Sequence, residues 1–159
     1  MLHVNARNGG DGRRHFLATN VEVLVSADDG EDAICVVEHR VPAGDSPPLH
    51  VHRNEDETFV ILEGRVRFLV GDEVFVLPAG AAAVAPKGIA HSYRAESPEG
   101  ARFLTVTRGS DFESLVKTIG QRTGSTALPP RVEVTPEMAA GLAAACAANA
   151  IDIVGPPLS

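Results

Sequence analysis

Two histidines separated by a single residue, His50 and His52, lie in the segment GDSPPLHVHRNEDETFVILEG at residues 44–64. Side chains alternate across a β-strand, so both imidazoles would point to one face and could converge on a single ion. Neutral histidine is the commonest protein ligand for mid-row transition metals. Because an HxH pair is also common by chance, the alternative is a polar surface turn with exposed histidines.

Two further residues would complete a metal site if strands bring them to the same face. Glu57 begins the run ETFVILE after the turn RNED, and His91 begins the run HSYRA after a turn in APKG. A third imidazole and a carboxylate would still leave coordination positions for substrate or water. The spacing therefore predicts a metal centre of three histidines and one glutamate inside a β-structure.

The elements that would position these side chains are short strands. Between Val21 and Thr107 the chain is a series of short runs rich in Val, Ile, Leu and Phe. Turn signals separate the runs, among them DDGED, PAGDSPP, VGDE and SPEG. Many short strands at close spacing indicate an antiparallel sandwich or barrel and argue against alternating β and α units.

Two helices are predicted after the strands. Ser110 and Glu113 form a capping-box pattern at the start of the first helix. Thr135 is a good N-cap for the second helix, and Pro136 suits its first position. The segment between the helices, QRTGSTALPPRVEV, has the composition of a linker.

The chain of 159 residues suits one domain with a sizeable core. Residues 1–20 are rich in Gly, Asn and Arg without periodicity, which predicts a loose N-terminal lead-in. The expected organisation is this lead-in, a β-barrel at residues 21–109, and a helical extension at residues 110–159 that packs on the barrel.

The spacing of these residues resembles that of the cupin family in both of the family's motifs. The first motif is matched by Gly44, five residues, His50, one residue, His52, four residues, Glu57, six residues and Gly64. The second is matched by Gly80, five residues, Pro86, one residue, Gly88, two residues and His91. The family usually has Asn four residues after that histidine, where this chain has Ala95, and the difference concerns the packing of the local turn.

The resemblance, to small single-domain cupins of the quercetin dioxygenase-like kind, has several implications. It implies an all-β fold, a double-stranded β-helix or jelly-roll barrel, here with two C-terminal α-helices. It also implies one divalent transition metal ion, whether Fe, Ni, Mn, Zn or Cu, held by His50, His52, Glu57 and His91. In such enzymes the glutamate ligand can also remove a substrate proton, so Glu57 is the candidate catalytic residue.

Strand parity extends the inward face beyond the ligands to a mostly apolar and aromatic lining. The candidates for substrate binding are His39, Phe59, Ile61, Phe68 and Tyr93. His39 and Tyr93 could hydrogen-bond a substrate or orient a ligand, and the alternative for each is a core or rim residue.

Three functions remain open for such a pocket, because one fold with one ligand set hosts many activities. The leading hypothesis is a metal-dependent dioxygenase for a small aromatic or enol-type substrate, since an apolar, aromatic lining suits a planar ligand. A sugar isomerase or epimerase would need more polar and cationic side chains than the predicted lining has. The third hypothesis is a non-catalytic cupin that binds a small molecule or a metal.

Composition limits the partners and the compartment. The net charge of -7 argues against nucleic acid and anionic membranes, because both demand a basic face. Cys35 and Cys146 are far apart and form no CxxC pair, and the N-terminus has no apolar core, so a cytoplasmic protein without disulfides is expected. Runs such as TFVILE are apolar on both faces, which predicts that a homodimer covers part of the outer surface.

Overall fold

The computed structural model describes residues 12–159, so residues 1–11 of the predicted lead-in lie outside the described residues. The strands are β1 (Arg13–Phe16), β2 (Thr19–Val25), β3 (Ile34–Val41), β4 (Pro48–His52), β5 (Glu57–Glu63), β6 (Arg65–Val70), β7 (Glu73–Pro78), β8 (Ala82–Ala85), β9 (His91–Ala95), β10 (Ala101–Arg108), β11 (Gln121–Arg122) and β12 (Ile151–Pro157). The helices are α1 (Asp111–Ile119) and α2 (Pro136–Ala148). Neither helix of this described part is long and apolar enough to cross a bilayer.

Within residues 12–159 the strands pair antiparallel into two sheets. The larger sheet has the order β11-β1-β2-β3-β10-β5-β8, and the smaller sheet has the order β12-β4-β9-β6-β7. Strands distant in sequence lie side by side, as where β10 runs between β3 and β5. Two antiparallel sheets with such crossovers form a jelly roll. The prediction of an all-β jelly-roll barrel with two C-terminal helices is confirmed.

Alternate residues of the central strands are buried, which is why these segments form strands with one face inward. On β3, Cys35, Val37 and Val41 are buried, and on the neighbouring β10 Phe103 and Thr105 are buried. The apolar residues between the sheets form two clusters. The barrel core comprises Val41, Phe59, Ile61, Val66, Phe68, Ala85, Tyr93, Ala95, Ala101 and Phe103. The helix-end core comprises Phe16, Val21, Val23, Ala27, Cys35, Val37, Phe112, Leu115, Val116, Cys146 and Ile151.

The first part of the larger sheet was not predicted from the sequence. Arg13–Phe16, which falls in the predicted loose lead-in, forms β1 and pairs with β2 and β11. Phe16 packs edge-on against Phe112 of α1, with 6.1 Å between ring centroids. Because this contact depends on a helix about a hundred residues away in sequence, a local pattern could not indicate it. The proposed domain boundaries at residues 20 and 109 stay a prediction.

The predicted capping box at the start of α1 is wrong. Ser110 makes no side-chain capping bond among residues 12–159. The carboxylate of Glu113 instead accepts hydrogen bonds from Ser26 Oγ at 2.6 Å and from the Ala27 backbone N–H at 2.8 Å. These buried, charge-assisted bonds join α1 to the larger sheet and outweigh a local cap. At α2 the prediction is confirmed, because Thr135 Oγ1 accepts from the Met138 N–H at 3.2 Å.

Candidate metal centre

The four predicted ligands come from both sheets and meet between them. His50 and His52 lie on β4 of the smaller sheet, and His91 begins the neighbouring β9, where it is paired directly with His50. Glu57 begins β5 of the larger sheet. Three imidazoles from one sheet therefore face a carboxylate from the other, as the alternation of strand side chains requires.

The donor atoms of these four side chains lie within 4.8 Å of one another. Glu57 Oε2 is 3.0 Å from His91 Nε2 and 3.3 Å from His52 Nε2. The His50 ring lies 4.5 Å from the His91 ring and 5.2 Å from the His52 ring, centroid to centroid. His52, Glu57 and His91 are buried and His50 is partly exposed. The structure thus brings together every residue that the sequence predicted as a ligand, with His50 on the accessible side.

Backbone carbonyls set the tautomers of two of the histidines. His50 Nδ1 lies 2.7 Å from the Pro48 carbonyl oxygen, and His91 Nδ1 lies 3.1 Å from the Ile89 carbonyl oxygen. A carbonyl only accepts, so each Nδ1 must carry its proton and donate it. The lone pair of each ring is thereby left on Nε2, the arrangement expected of a histidine that binds a metal through Nε2.

This donor set fits a divalent metal. The Nε2 lone pair of His91 and the Glu57 carboxylate are 3.0 Å apart and buried, and they repel each other unless a proton or a metal cation lies between them. Three imidazole nitrogens and one carboxylate oxygen suit Zn, Fe, Ni, Mn or Cu, and the type of ligand alone does not select among these ions.

The charges and the burial within the cluster favour an ionised Glu57 and a neutral His50. Burial raises the pKa of Glu57, but His52, His91 and His50 outweigh this effect and lower it to about 2. Burial and the neighbouring His91 lower the pKa of the His50 imidazole to about 4. A metal ligand must be deprotonated to bind, so at neutral pH both groups are in the form that binding requires.

The predicted aromatic lining lies in the barrel core. The Phe59 ring lies 4.9 Å from the Phe68 ring and 6.2 Å from the His91 ring of the cluster. The Tyr93 ring lies 6.2 Å from the Phe59 ring, and Ile61 belongs to the same cluster of buried residues. The most exposed of these four residues is Tyr93, at 8%. The structure therefore places them together beside the four clustered residues, and their role in binding a substrate stays a prediction.

His39 is a core residue between two aromatic rings. It is 4% exposed, and its ring stacks on Phe103 at 4.8 Å and on Phe112 at 5.7 Å. Its Nε2 lies 3.1 Å from Thr105 Oγ1. These contacts satisfy the ring without a ligand, and substrate binding by His39 stays a prediction.

Ala95, at the position where the family motif has Asn, does not open the turn. Its side chain is buried in the barrel core. Its carbonyl accepts from the Gly44 N–H at 2.9 Å and its N–H donates to the Asp45 carbonyl at 3.0 Å. Backbone bonds therefore join the ends of the two motifs, and they need no particular side chain at this position.

The state of His39 predicts a pH dependence of stability. Burial lowers the pKa of its imidazole to about 4, against the opposing effect of Glu57 and Glu38. The pKa of histidine in an unfolded chain is about 6.5. Between pH ~4 and ~6.5 the unfolded state therefore binds a proton at His39 that the folded state does not. The contribution of the neutral His39 to the free energy of unfolding is fully present above pH ~6.5 and is lost as the pH falls towards ~4. Urea unfolding at several pH values should show a shallower loss of stability for His39→Gln than for the unmodified protein.

His15 is the matched control for this measurement. It lies on β1, outside both core clusters, with Nε2 3.1 Å from the Ala127 carbonyl oxygen. His15→Gln controls for replacing a histidine outside the core, so a difference in pH dependence between the two variants reports the burial of His39. Equal slopes for His39→Gln and the unmodified protein would show that His39 does not remain neutral in the folded state.

Glu55 is a buried residue beside the cluster that no sequence pattern indicates. It belongs to the turn RNED, whose composition gives no sign of burial, yet Glu55 is 1% exposed. Its carboxylate accepts from the backbone N–H groups of Asp111 at 3.0 Å and Phe112 at 3.1 Å, at the start of α1. Its Oε2 lies 3.8 Å from His52 Nδ1. Only a folded chain brings this turn to the helix, so nothing in the local sequence indicates the contact.

Comparison with known proteins finds a matching family model and a curated relative. The family model described as "Cupin domain" matches residues 37–107, which include all four clustered residues. The quercetin 2,3-dioxygenase of Bacillus subtilis (strain 168) is 29% identical over 122 residues, which are 76% of this chain and 36% of that protein. The chain thus spans well under half the length of the curated relative that it matches.

Solved structures support the same fold. A predicted oxalate decarboxylase from Thermotoga maritima superimposes with a TM-score of 0.60 at 20% identity, over 66% of this chain and 98% of the other. The structure of KdgF from a Halomonas species gives a TM-score of 0.53 at 18% identity, over 60% of this chain and 85% of the other. At these identities the likeness concerns the fold alone.

Proposed function

We propose that this chain, whose residues 37–107 match the model of the cupin domain, is a metal-dependent dioxygenase acting on a small aromatic or enol-type substrate. The observation that carries the proposal is the cluster of three histidines and one glutamate between the two sheets. The likeness to a quercetin 2,3-dioxygenase supports this choice of reaction among those that the fold hosts.

The ligands would be His50, His52, Glu57 and His91, around one divalent transition metal ion. When bound, such an ion would supply Lewis-acid chemistry to a substrate oxygen, and redox chemistry if it is Fe, Ni, Mn or Cu rather than Zn. The identity of the metal is left open by the ligand types, among Fe, Ni, Mn, Zn and Cu. His50 is the partly exposed member of the set, so substrate would approach across its ring.

Besides binding the metal, Glu57 would accept a proton from the substrate. Its carboxylate is ionised at neutral pH, because the three surrounding histidines hold its pKa at about 2 against the effect of burial. An ionised carboxylate next to the substrate hydroxyl can accept its proton, which generates the electron-rich oxygen that an oxygenase needs. Phe59, whose ring is 6.2 Å from the His91 ring, would present an apolar surface to a planar substrate.

Oxygen uptake tests the proposal directly. The metal-loaded protein should consume O2 with at least one member of a panel of flavonols, phenols and β-diketones. Glu57→Gln should reduce the rate about 100-fold or more, because it removes the proton acceptor. Glu63→Gln is the matched control, since Glu63 is an exposed residue on the same strand and pairs with Arg102.

The outcomes separate the dioxygenase from a second candidate, a cupin that binds a small molecule or metal without catalysis. The second candidate is favoured by the tight packing of Phe59, Ile61, Phe68 and Tyr93 beside the cluster. Retained metal with no O2 uptake on any member of the panel would contradict the dioxygenase and support the binding protein. Equal loss of uptake in Glu57→Gln and Glu63→Gln would contradict the role of Glu57.

We also propose that the protein forms a homodimer. Exposed valines on the edge strands support it: Val74 on β7 is 64% exposed and Val84 on β8 is 50% exposed. Apolar side chains at sheet edges favour association with another chain.

A further inference from the structure

His52 differs from the other two histidines of the cluster in the surroundings of its Nδ1 atom. His50 and His91 each donate Nδ1–H to the carbonyl two residues earlier in the chain. His52 Nδ1 is buried and has no hydrogen-bond partner among the described residues. Its Nε2 faces Glu57, so a neutral His52 that offers Nε2 to a metal must carry its proton on the unpartnered Nδ1. A buried donor without an acceptor is costly, so this proton needs a partner.

Glu55 is the acceptor within reach. Its Oε2 lies 3.8 Å from His52 Nδ1, and both side chains are almost fully buried. The two backbone N–H groups at the start of α1 already hold this carboxylate in place. Gly109 makes room for it, because a Cβ at that position would lie 2.5 Å from Glu55 Oε1.

We propose that Glu55 is a positioning residue for the metal centre, which accepts the Nδ1 proton of His52 and so directs His52 Nε2 to the metal. The inference rests on the metal site of the proposed function and adds a residue outside its ligand set. A carboxylate acceptor also raises the basicity of the imidazole, so Glu55 strengthens the bond that His52 makes.

The same carboxylate joins the metal centre to the C-terminal part of the chain. Glu55 binds the first turn of α1 through Asp111 N–H and Phe112 N–H. Phe112 also packs 6.2 Å from the His52 ring, centroid to centroid. Since one buried group holds both the helix and the ligand, metal binding should stabilise the docking of α1, and docking should strengthen metal binding by the same factor.

Titration with Co²⁺ alone tests the positioning role without an activity assay. We expect Glu55→Gln to weaken Co²⁺ binding about 10- to 100-fold, the usual effect of removing a residue that orients a metal-binding histidine. Asn54→Ala is the matched control: Asn54 Nδ2 donates to Asp111 Oδ2 at 2.9 Å, so this change perturbs the same junction with α1 without touching His52. Co²⁺ affinity in Asn54→Ala should stay within about twofold of the unmodified protein.

Proton NMR of the Co²⁺-loaded protein gives a readout that general destabilisation would not produce. The unmodified protein should show three exchangeable imidazole N–H signals, one for each histidine of the cluster. In Glu55→Gln the signal of His52 should shift or exchange faster, and those of His50 and His91 should not change. Equal changes in all three signals would contradict a specific link to His52.

Gly109→Ala moves the carboxylate without removing its charge. The added Cβ would meet Glu55 Oε1, Cγ and Cδ, and φ of +137° at this position is a conformation that residues other than glycine rarely adopt. The variant should lose Co²⁺ affinity and perturb the His52 signal in the same way as Glu55→Gln.

If neither variant folds, the unmodified protein loaded with Zn²⁺ still decides the question. The His52 Nδ1–H proton should then resonate further downfield than those of His50 and His91, because its acceptor is a carboxylate rather than a carbonyl. Absence of that downfield signal, or Glu55→Gln that binds Co²⁺ as tightly as the unmodified protein, would overturn the role of Glu55. Failure of the unmodified protein to bind Co²⁺ or Zn²⁺ would overturn the metal site itself.

Discussion

We expect the unmodified protein to retain a bound metal on purification, and His52→Ala and Glu57→Ala each to lose it. Both side chains are buried at the centre of the cluster, and Glu57 Oε2 lies 3.3 Å from His52 Nε2. Residues that only orient a ligand already change metal affinity 10- to 100-fold, so loss of a ligand itself should cost about 100-fold or more. Elemental analysis of protein purified without added metal should find about one ion per chain in the unmodified protein and a small fraction of that in either variant.

His15→Ala controls for the loss of a histidine elsewhere. His15 lies on β1 and is not among the clustered residues, so its removal should leave the metal content unchanged. Circular dichroism should confirm that all variants retain the β-structure, since each change also removes buried contacts. Metal content equal to that of the unmodified protein in both His52→Ala and Glu57→Ala would refute the site proposed here.

Phe103→Ala in the barrel core should cause a large loss of stability. Phe103 is fully buried on β10, and its ring contacts those of His39 at 4.8 Å and Tyr93 at 5.1 Å. Truncating a buried phenylalanine typically costs about 3–5 kcal/mol, because transfer energy and a cavity both contribute. Domains are usually stable by only about 5–15 kcal/mol, so the variant should unfold at a much lower urea concentration.

Phe75→Ala provides a graded comparison. Phe75 lies on the edge strand β7, is only partly buried, and stacks on Phe68 with 5.7 Å between ring centroids. The loss should be smaller than at Phe103, because the site can relax and some of the ring is already in water. Urea unfolding with an unchanged denaturant slope would attribute both effects to the folded state. A larger loss at Phe75 than at Phe103 would contradict the placement of Phe103 in the interior of the barrel.

The four clustered residues were predictable because each part of their arrangement is local. His50 and His52 share a face since strand side chains alternate, and Glu57 and His91 begin strands directly after turns. Alternation alone does not say which strands lie next to each other. The spacing between the glycines and the four clustered residues matches a known motif, and this resemblance indicated that their strands meet. The structure then places all four donor atoms within 4.8 Å.

The wrong capping-box prediction and the unpredicted burial of Glu55 share one physical cause. Ser110 and Glu113 have the spacing of a capping box, but Glu113 finds Ser26 and Ala27 in the folded chain. Glu55 has the sequence context of a solvated turn, but it is buried beneath the start of α1. A carboxylate gains more from several donors in a water-poor interior than from one local bond, and which donors are available depends on tertiary packing.

The sequence by itself determined the strand-rich architecture, the two helices and the set of candidate ligands, because alternation, turn residues and motif spacing act over a few residues at a time. Only the tertiary structure decided three contacts. Strand β12 pairs with β4, which carries His50 and His52. His39 is stacked between Phe103 and Phe112, and the Glu55 carboxylate lies 3.8 Å from His52 Nδ1. The first two contacts join segments that are far apart in sequence. The third depends on the start of α1, whose backbone N–H groups hold Glu55 in place. Their energies arise from burial and from hydrogen bonds that form only when the chain has folded, so no local pattern carries them.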